Sequence, residues 1–282
     1  MKKPIKRVAA IHDMCGIGKA ALTNIIPVLS TLGVEVCPIP TMILTTHTGG
    51  FGVPAIVKLE EYIGKAFKHY SEINMNFQGI FIGYLGSIDN ADETLSLLKS
   101  MREEDNSLII FDPIFADNGK YYSNFKNDYS EKLKDLIKYS KIITPNFTEA
   151  CFLSGEEIIK DTVSEEEVLM ISRKLHKLGC ENIVITSVPV KDKNKIGTSI
   201  YNGKDDSIKV LIRDRFEKSY PGTGDIFAAV LIGMILKGID LGKAAKKSCE
   251  FVERCIEESS KYDYPTKEGV LLEMVLKELY DL

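Results

Sequence analysis

The residues best suited to chemistry form the turn Pro221-Gly222-Thr223-Gly224-Asp225, directly before the apolar run Ile226 to Leu236. Two glycines at a helix start leave backbone N–H groups uncovered, and the helix dipole adds positive charge there, so the turn suits an anion. Asp225 lies inside it. This carboxylate either favours the helix dipole or acts as a general base on a hydroxyl, while the N–H groups stabilise a transferring phosphoryl group.

Oxygen-bearing side chains are concentrated in two further segments. The first runs from Asp112 to Asp117 and the second from Thr144 to Glu149. Carboxylates at one edge of a sheet suit Mg²⁺, which keeps several waters and bridges nucleotide phosphates. Singly, these residues have simpler explanations, since Asp112 precedes a proline turn, and Asn146 or Thr148 can cap a helix whose dipole Glu149 favours. Together with the glycine turn they indicate a phosphotransfer site.

Short apolar runs alternate with segments of helical periodicity, which predicts an α/β fold with a largely parallel sheet. Ligands of such sheets bind beyond the carboxyl ends of the strands, where both acidic segments begin. The predicted strands are Lys6 to Ile11, Val34 to Leu44, Gly79 to Tyr84, Leu108 to Asp112, Lys141 to Thr144 and Asn182 to Thr186. The predicted helices between them are Ile17 to Leu32, Leu59 to Asn76, Ala91 to Glu104, Asp128 to Tyr139, Thr148 to Ser154 and Glu165 to Leu178.

The C-terminal third has a different pattern. Gly197 to Tyr201 and Ile208 to Arg213 alternate around Asn202-Gly203, which predicts a β-hairpin. Three helices follow it: Thr223 to Lys237, Gly242 to Glu258 and Lys267 to Tyr280. No repeat or long linker is visible, so we expect a single domain over residues 1–282.

Composition limits the classes of function. The 282 residues include 36 Lys or Arg and 40 Asp or Glu, a formal net charge of −4, which argues against nucleic-acid binding. The longest apolar run, Ile226 to Leu236, is shorter than the roughly 20 residues that span a bilayer, and no secretory signal is visible, so we expect no membrane partner and a cytoplasmic protein. The six cysteines form no metal-binding pattern and are expected to be reduced.

Five motifs in chain order resemble those of the pyridoxal (vitamin B6) kinases of the ribokinase superfamily, and the resemblance covers most of the chain. They are Thr45-Thr46-His47-Thr48 (S-N-H-T in the family), Gly83-Tyr84-Leu85-Gly86-Ser87 (G-Y-L-G-S), Asp112-Pro113 through Asp117-Asn118-Gly119 (D-P-x-x-x-D-x-G), Thr144-Pro145-Asn146 with Glu149 (T-P-N-x-x-E), and Gly222-Thr223-Gly224-Asp225. Thr186-Ser187 occupies the place of a nucleotide-contacting pair. Five ordered motifs are far more specific than any one of them.

The resemblance implies a ribokinase-like three-layer sandwich, with helices on both faces of a mostly parallel sheet. It also implies ATP-dependent phosphorylation of the 5′-hydroxymethyl group of a B6 vitamer, with Mg²⁺ as cofactor and a homodimer as assembly. Carried over by position, Asp225 is the base, and Gly222, Thr223 and Gly224 form the anion hole. Asp117 and Glu149 organise Mg²⁺ through waters. The ATP-binding residues are Asp112, Thr144, Asn146, Thr186 and Ser187, and the vitamer-binding residues are Asp13, Thr46, His47 and Tyr84.

The chain departs from the family pattern at two places. Asp13 stands near the place of a family serine, at the start of a shortened loop that runs to Lys19, and Thr46 replaces an asparagine. A carboxylate at Asp13 can pair with a substrate amine, which favours pyridoxamine, or cap a helix. His12 is either structural or pocket-lining. The sequence leaves open the preferred vitamer, a role for a monovalent cation such as K⁺, and two alternatives: a hydroxymethylpyrimidine kinase and a non-catalytic vitamer-binding protein.

Overall fold

The structure is a computed structural model that describes residues 4–101, 107–157 and 161–280. Within these ranges the chain forms eleven strands, nine α-helices and two short 3₁₀ segments. The strands are β1 (Arg7–Ile17), β2 (Glu35–Thr46), β3 (Ile56–Lys58), β4 (Gly79–Ile82), β5 (Leu108–Phe111), β6 (Ala116–Asp117), β7 (Lys120–Tyr121), β8 (Ile142–Ile143), β9 (Asn182–Pro189), β10 (Lys195–Asn202) and β11 (Ser207–Asp214). The helices are α1 (Leu22–Thr31), α2 (Tyr62–Glu72), α3 (Ile88–Ser100), α4 (Asn127–Ile137), α5 (Phe147–Ser154), α6 (Glu165–Lys177), α7 (Thr223–Leu236), α8 (Leu241–Ser260) and α9 (Leu272–Val275), with 3₁₀ turns at Thr266–Glu268 and Leu276–Leu279.

The described residues form two compact units. The first contains residues 4–86, 107 and 217–280. In it β1 pairs in parallel with both β2 and β4, and β3 adds to β2 in antiparallel orientation. Helix α7 is apolar on all sides, and eleven of its fourteen residues are buried, because it packs against both α1 and α8.

The second unit contains residues 87–101, 108–157 and 161–216. Here β8 lies between β5 and β9, and all three run parallel. The predicted hairpin is present as β10 and β11, which extend this sheet from β9 in antiparallel orientation. Strands β6 and β7 form a separate small hairpin. The expected α/β class with a mostly parallel sheet is therefore confirmed, whereas the expectation of a single domain over 1–282 stays a prediction.

Two predicted elements near the site differ from the structure. The first helix begins at Leu22, not at Ile17, because β1 continues through the residues after Ile11 as far as Ile17. The helix predicted from Lys267 to Tyr280 is broken into short turns. Its break lies at Gly269, where φ is +81° and a Cβ would come 2.6 Å from the carbonyl oxygen of Gly18, so close chain contact replaces the helix.

Smaller differences concern short or undescribed segments. The two-residue strands β6 and β7 and the three-residue β3 have too few residues to give a periodic signal. Residues 102–104, the end of the helix predicted from Ala91, lie outside the described residues. No helix in the described part of the chain combines the length and apolar character needed to cross a membrane.

Candidate active site

The carboxylate of Asp225 lies in the first turn of α7 and is only 7% exposed. Its Oδ2 accepts a hydrogen bond of 2.6 Å from the backbone N–H of Ala21. The first N–H groups of a helix have no partner within the helix, and Gly222, at the N-cap, adopts φ +77°. Beyond its own helix, a Cβ on Gly224 would have no heavy atom within 4 Å. The predicted anion-binding turn therefore has open space before it.

A strained loop brings Ala21 to Asp225. Lys19 has φ +49° and Ala21 has φ +61°, conformations that cost a non-glycine residue about 1 kcal/mol or more. The buried Asn24 holds this loop, since its Nδ2 donates to the carbonyl oxygens of Lys19 and, at 3.3 Å, Gly222. A Cβ on Gly222 would lie 2.2 Å from the Lys19 oxygen. The loop and the start of α7 are therefore in backbone contact, which only glycine allows.

His12 and Asp13, at the middle of β1, are buried beside Asp225. Nδ1 of His12 is 2.7 Å from Oδ1 of Asp13, and Nε2 is 3.3 Å from Oδ1 of Asp225 without hydrogen-bond alignment. Burial by itself lowers the pKa of His12, but the hydrogen bond to Asp13 and the charge attraction of Asp13 and Asp225 outweigh it and raise the pKa to about 10. Oδ2 of Asp13 accepts from the Cys15 thiol at 3.2 Å. Burial and the nearby carboxylates raise the pKa of Cys15, so the thiol stays protonated.

The structure thus gives Asp13 contacts that its sequence position did not indicate. Both of its carboxylate oxygens bond to side chains of the protein, and the residue lies inside a strand. The alternative that Asp13 caps a helix is wrong, because α1 begins only at Leu22. Its assignment as a vitamer-binding residue stays a prediction.

The other three residues predicted to bind the vitamer are half-buried in the same unit. Tyr84 packs against Cys15 and the neighbouring apolar side chains. Both ring nitrogens of His47 are engaged by backbone groups, since Nε2 donates to the oxygen of Lys267 at 2.7 Å and Nδ1 accepts from the N–H of Gly49 at 3.0 Å. Thr46 donates to the carbonyl of His47. His47 therefore has the contacts of a residue that fixes its loop.

In the second unit, the N-terminus of α5 holds the segment that carries Asp117. Glu149 is 2% exposed, and its oxygens accept the backbone N–H groups of Phe115, Ala116 and Asn146 at 2.9, 3.3 and 2.9 Å. The Asn146 side chain accepts from the N–H of Glu149, which completes a capping box, and donates to the oxygen of Ala116 at 2.7 Å. Glu149 and Asn146 thus fix the backbone that leads to Asp117.

These contacts bear on the expected Mg²⁺ site. Within the described residues no three His, Cys, Asp or Glu side chains come together as a metal site. Both carboxylate oxygens of Glu149 already accept hydrogen bonds from backbone N–H groups. Asp117, in contrast, is exposed, and among the described residues it accepts hydrogen bonds only from its neighbour Asn118. Desolvation raises the pKa of Asp117, partly offset by the Asn118 N–H. The donor set fits a hydrated ion held through waters, as Mg²⁺ prefers, and does not fit a closed protein cage.

The remaining predicted nucleotide residues follow neighbouring strands of the second unit. Asp112 and Thr144 come directly after β5 and β8, and both are buried. The hydroxyl of Thr144 is a buried donor without a hydrogen-bond partner among the described atoms. Thr186 and Ser187 form a bulge in β9, because the pairing with β10 shifts there, and exposed Ser187 has φ +58°. Bulges and strained residues of this kind occur often beside functional sites.

The comparisons with known proteins agree with this geometry. The family model for phosphomethylpyrimidine kinase matches residues 26–269. The chain belongs to the phosphomethylpyrimidine kinase family. A pyridoxal kinase from Dictyostelium discoideum is 28% identical over 244 residues, which are 82% of this chain and 79% of that protein.

Solved structures extend the agreement to the fold. A candidate phosphomethylpyrimidine kinase from Bacteroides thetaiotaomicron, in a crystal form with pyridoxal, is 34% identical with a TM-score of 0.92 over 99% of this chain and 96% of that chain. The pyridoxal kinase from Lactobacillus plantarum is 26% identical with a TM-score of 0.88, covering 99% and 98%. The expected relation to the pyridoxal kinases and the ribokinase-like α/β fold are thereby confirmed.

Sequence reasoning missed three contacts of this family member's site. The sequence leaves His12 between a structural and a pocket-lining role, and it assigns no role to Ala21 or Asn24. The signal in the sequence is a histidine that directly follows an apolar run and precedes an aspartate. The Ala21 and Asn24 contacts depend on a strained loop that has no sequence signature beyond Gly18.

The two capping boxes of this kinase fold offer a matched test of the Glu149 network. Glu167 occupies the same position in the exposed capping box of α6, without the two additional N–H groups. Glu149→Gln should therefore lower the free energy of unfolding by about 1–3 kcal/mol at pH 8, because it turns amide hydrogens toward buried donors. Glu167→Gln should cost less than about 1 kcal/mol. Urea unfolding measures both, and equal costs would contradict a special role of Glu149.

The cost of Glu149→Gln in free energy of unfolding should also depend on pH. Burial, with a further contribution from Asp117, outweighs the backbone hydrogen bonds and raises the pKa of Glu149 from 4.5 to about 7. The folded chain then binds this proton more tightly than the unfolded chain. The contribution of protonated Glu149 to the free energy of unfolding is therefore complete below about pH 4.5 and is lost as the pH rises through about 7. The cost of Glu149→Gln should therefore be larger at pH 5 than at pH 8. A cost that is the same at both values would contradict the raised pKa.

Proposed function

We propose that this protein is an ATP-dependent kinase for the 5′-hydroxymethyl group of a vitamin B6 vitamer: pyridoxal, pyridoxine or pyridoxamine. The observation that carries the chemistry is the Asp225 carboxylate, oriented by Ala21 and His12 in a helix turn that is open before Gly224. A general base and unpaired N–H groups in one turn are what phosphoryl transfer to an alcohol requires.

Asp225 accepts the proton of the substrate hydroxymethyl group. The oxygen so freed forms a bond to the γ-phosphorus of ATP, and the bond from that phosphorus to the β,γ-bridging oxygen breaks, leaving its electron pair on ADP. The N–H groups of the turn from Gly222 to Gly224 stabilise the charge on the transferring phosphoryl group. The products are the vitamer 5′-phosphate and ADP, with the proton on Asp225.

The second unit supplies the residues proposed for the nucleotide: Asp112, Thr144, Asn146, Thr186 and Ser187. The unpaired hydroxyl of Thr144 supports this assignment, because a buried hydroxyl without a partner is rare unless a ligand or water completes it. When bound, Mg²⁺ would neutralise phosphate charge, and we propose that Asp117 meets it through waters while Glu149 holds the backbone before Asp117. We also propose a homodimer, as the family resemblance implies.

The proposed substrate is inferred from the proteins to which this chain is similar. The Bacteroides thetaiotaomicron protein, at 34% identity, was crystallised with pyridoxal, and the Dictyostelium discoideum relative is a pyridoxal kinase. The second candidate is phosphorylation of hydroxymethylpyrimidine, favoured by the phosphomethylpyrimidine kinase family model itself. Tyr84, half-buried beside the apolar side chains of Cys15 and Met42, suits either flat ring better than it suits a sugar, which needs polar partners.

Replacing the base tests the chemistry. Asp225→Asn keeps an oxygen that can accept the Ala21 N–H but cannot take up the substrate proton, so kcat should fall by roughly 10²–10⁴-fold with little change in ATP binding. Coupled ADP release with pyridoxal measures it. Asp240→Asn is the matched control, since Asp240 caps the exposed start of α8 and asparagine caps equally well. Near-normal turnover by folded Asp225→Asn protein would remove Asp225 from this role.

The open space before Gly224 allows a separate test of the anion hole. Gly224→Val adds a side chain where the fold has no atom to meet it, so the protein should fold normally. The added methyl groups would keep a phosphoryl group from the N–H donors, and kcat should fall at least about 10²-fold. Gly242→Val, in the first turn of α8, controls for adding valine to a helix start. Unchanged turnover by Gly224→Val would mean that the turn only begins a helix.

A further inference from the structure

The buried charges around Asp225 carry an inference that deepens the proposed function and rests on it. Asp13 on β1 and Asp225 on α7 are two carboxylates from distant parts of the sequence, and His12 lies between them. Its Nδ1 is 2.7 Å from one carboxylate and its Nε2 is 3.3 Å from the other. Each ring nitrogen of one imidazole therefore faces a carboxylate oxygen.

The geometry constrains the protonation of this group. A neutral imidazole has one N–H, so its second nitrogen would place a lone pair against a carboxylate. An imidazolium donates from Nδ1 to Asp13, places positive charge 3.3 Å from Oδ1 of Asp225, and reduces the net charge of the three side chains from −2 to −1. His12, Asp13 and Asp225 are 2%, 9% and 7% exposed, so little water is present to compensate the charges. The charged ring is the state that satisfies both carboxylates.

The surroundings hold the ring in this orientation. From the end of β4, Gly83 lies against it so closely that a Cβ would be 2.0 Å from Cδ2 of His12. The apolar ring of Phe81 packs 6.1 Å from it. The ionisable groups that act on His12 are Asp13 from its own strand and Asp225 from α7, and the neutral Cys15 thiol touches only the far oxygen of Asp13.

We propose that His12 is a positioning residue for Asp225: as an imidazolium held by Asp13, it places a positive charge 3.3 Å from Oδ1 and so keeps the Asp225 carboxylate in place. The Ala21 N–H fixes Oδ2 by a hydrogen bond of 2.6 Å. During transfer the substrate proton goes to Asp225, and His12 keeps both of its own protons. Asp13 is then an internal partner of His12, and substrate preference does not depend on an amine pairing with Asp13.

The charge of His12 can be measured without substrate, by NMR titration of the imidazole resonances of the full chain, which has four histidines. We expect one resonance that is absent from His12→Gln and titrates above pH 9. Asp13→Asn keeps the shape of the partner but removes its charge, so the same resonance should titrate at least about one pH unit lower. A His12 resonance with a midpoint below pH 7.5 in the wild type would overturn the proposal.

The kinetic consequence is a change in the pH profile rather than in activity at one pH. In His12→Gln the positive charge beside Asp225 is gone at every pH, so kcat should no longer depend on the protonation of this position. The fall in activity near pH 10 that accompanies deprotonation of His12 should disappear. His69→Gln, on the exposed side of α2, is the control and should keep the wild-type profile. A folded His12→Gln protein with the wild-type profile would show that His12 is structural only.

One substitute variant and two outcomes separate this proposal from the proposed function. If His12→Gln does not fold, Asp13→Asn tests the same point, because it should lower the NMR midpoint of His12 and the alkaline limb of kcat together. If the wild type phosphorylates no alcohol but His12 titrates above pH 9, the proposed charge of His12 is supported and the proposed kinase function is wrong. If turnover is normal but the NMR midpoint of His12 lies below pH 7.5, the proposed kinase activity is supported and the positioning role of His12 is wrong.

Discussion

A carboxylate in the first turn of a buried helix is the constraint on which the first unit depends. Helix α7 is apolar on every side, so it lies in the core, and Asp225 enters the core with it. A buried charge is costly unless hydrogen bonds and opposite charge replace water. The N–H of Ala21 and the imidazole of His12 provide both. The positive φ at Ala21 is the cost of bringing that N–H within reach.

The second unit uses a helix start differently. At α5 the first turn carries an ordinary capping box, but Glu149 also accepts two N–H groups from the chain before Asp117. Its buried carboxylate thus holds the loop in place, and Asp117 is left exposed to solvent. The start of α7 therefore leaves open space before its glycine turn, while the start of α5 uses its acidic residue to shape a neighbouring segment.

Much of this arrangement could be predicted from the sequence, because it depends on local patterns. The glycine turn before α7, the acidic segments after β5 and β8, and the capping residue Asn146 all lie where short-range rules place them. The contacts that orient Asp225 could not be predicted. They join β1, a strained loop and α7 across about 200 residues of sequence, and β1 itself runs six residues beyond its apolar core. Gly269 ends the expected last helix for the same reason, since Gly18 lies against it.

The identity of the alcohol is the central claim, and turnover against a panel of alcohols tests it most directly. ADP release with MgATP would be measured for pyridoxal, pyridoxine, pyridoxamine, hydroxymethylpyrimidine and ribose, each with purified wild-type protein and its Asp225→Asn variant as the control for contaminating kinases. The account predicts turnover with the pyridine compounds and its loss in the variant. Turnover confined to hydroxymethylpyrimidine or ribose, or turnover with none of the five, would contradict it.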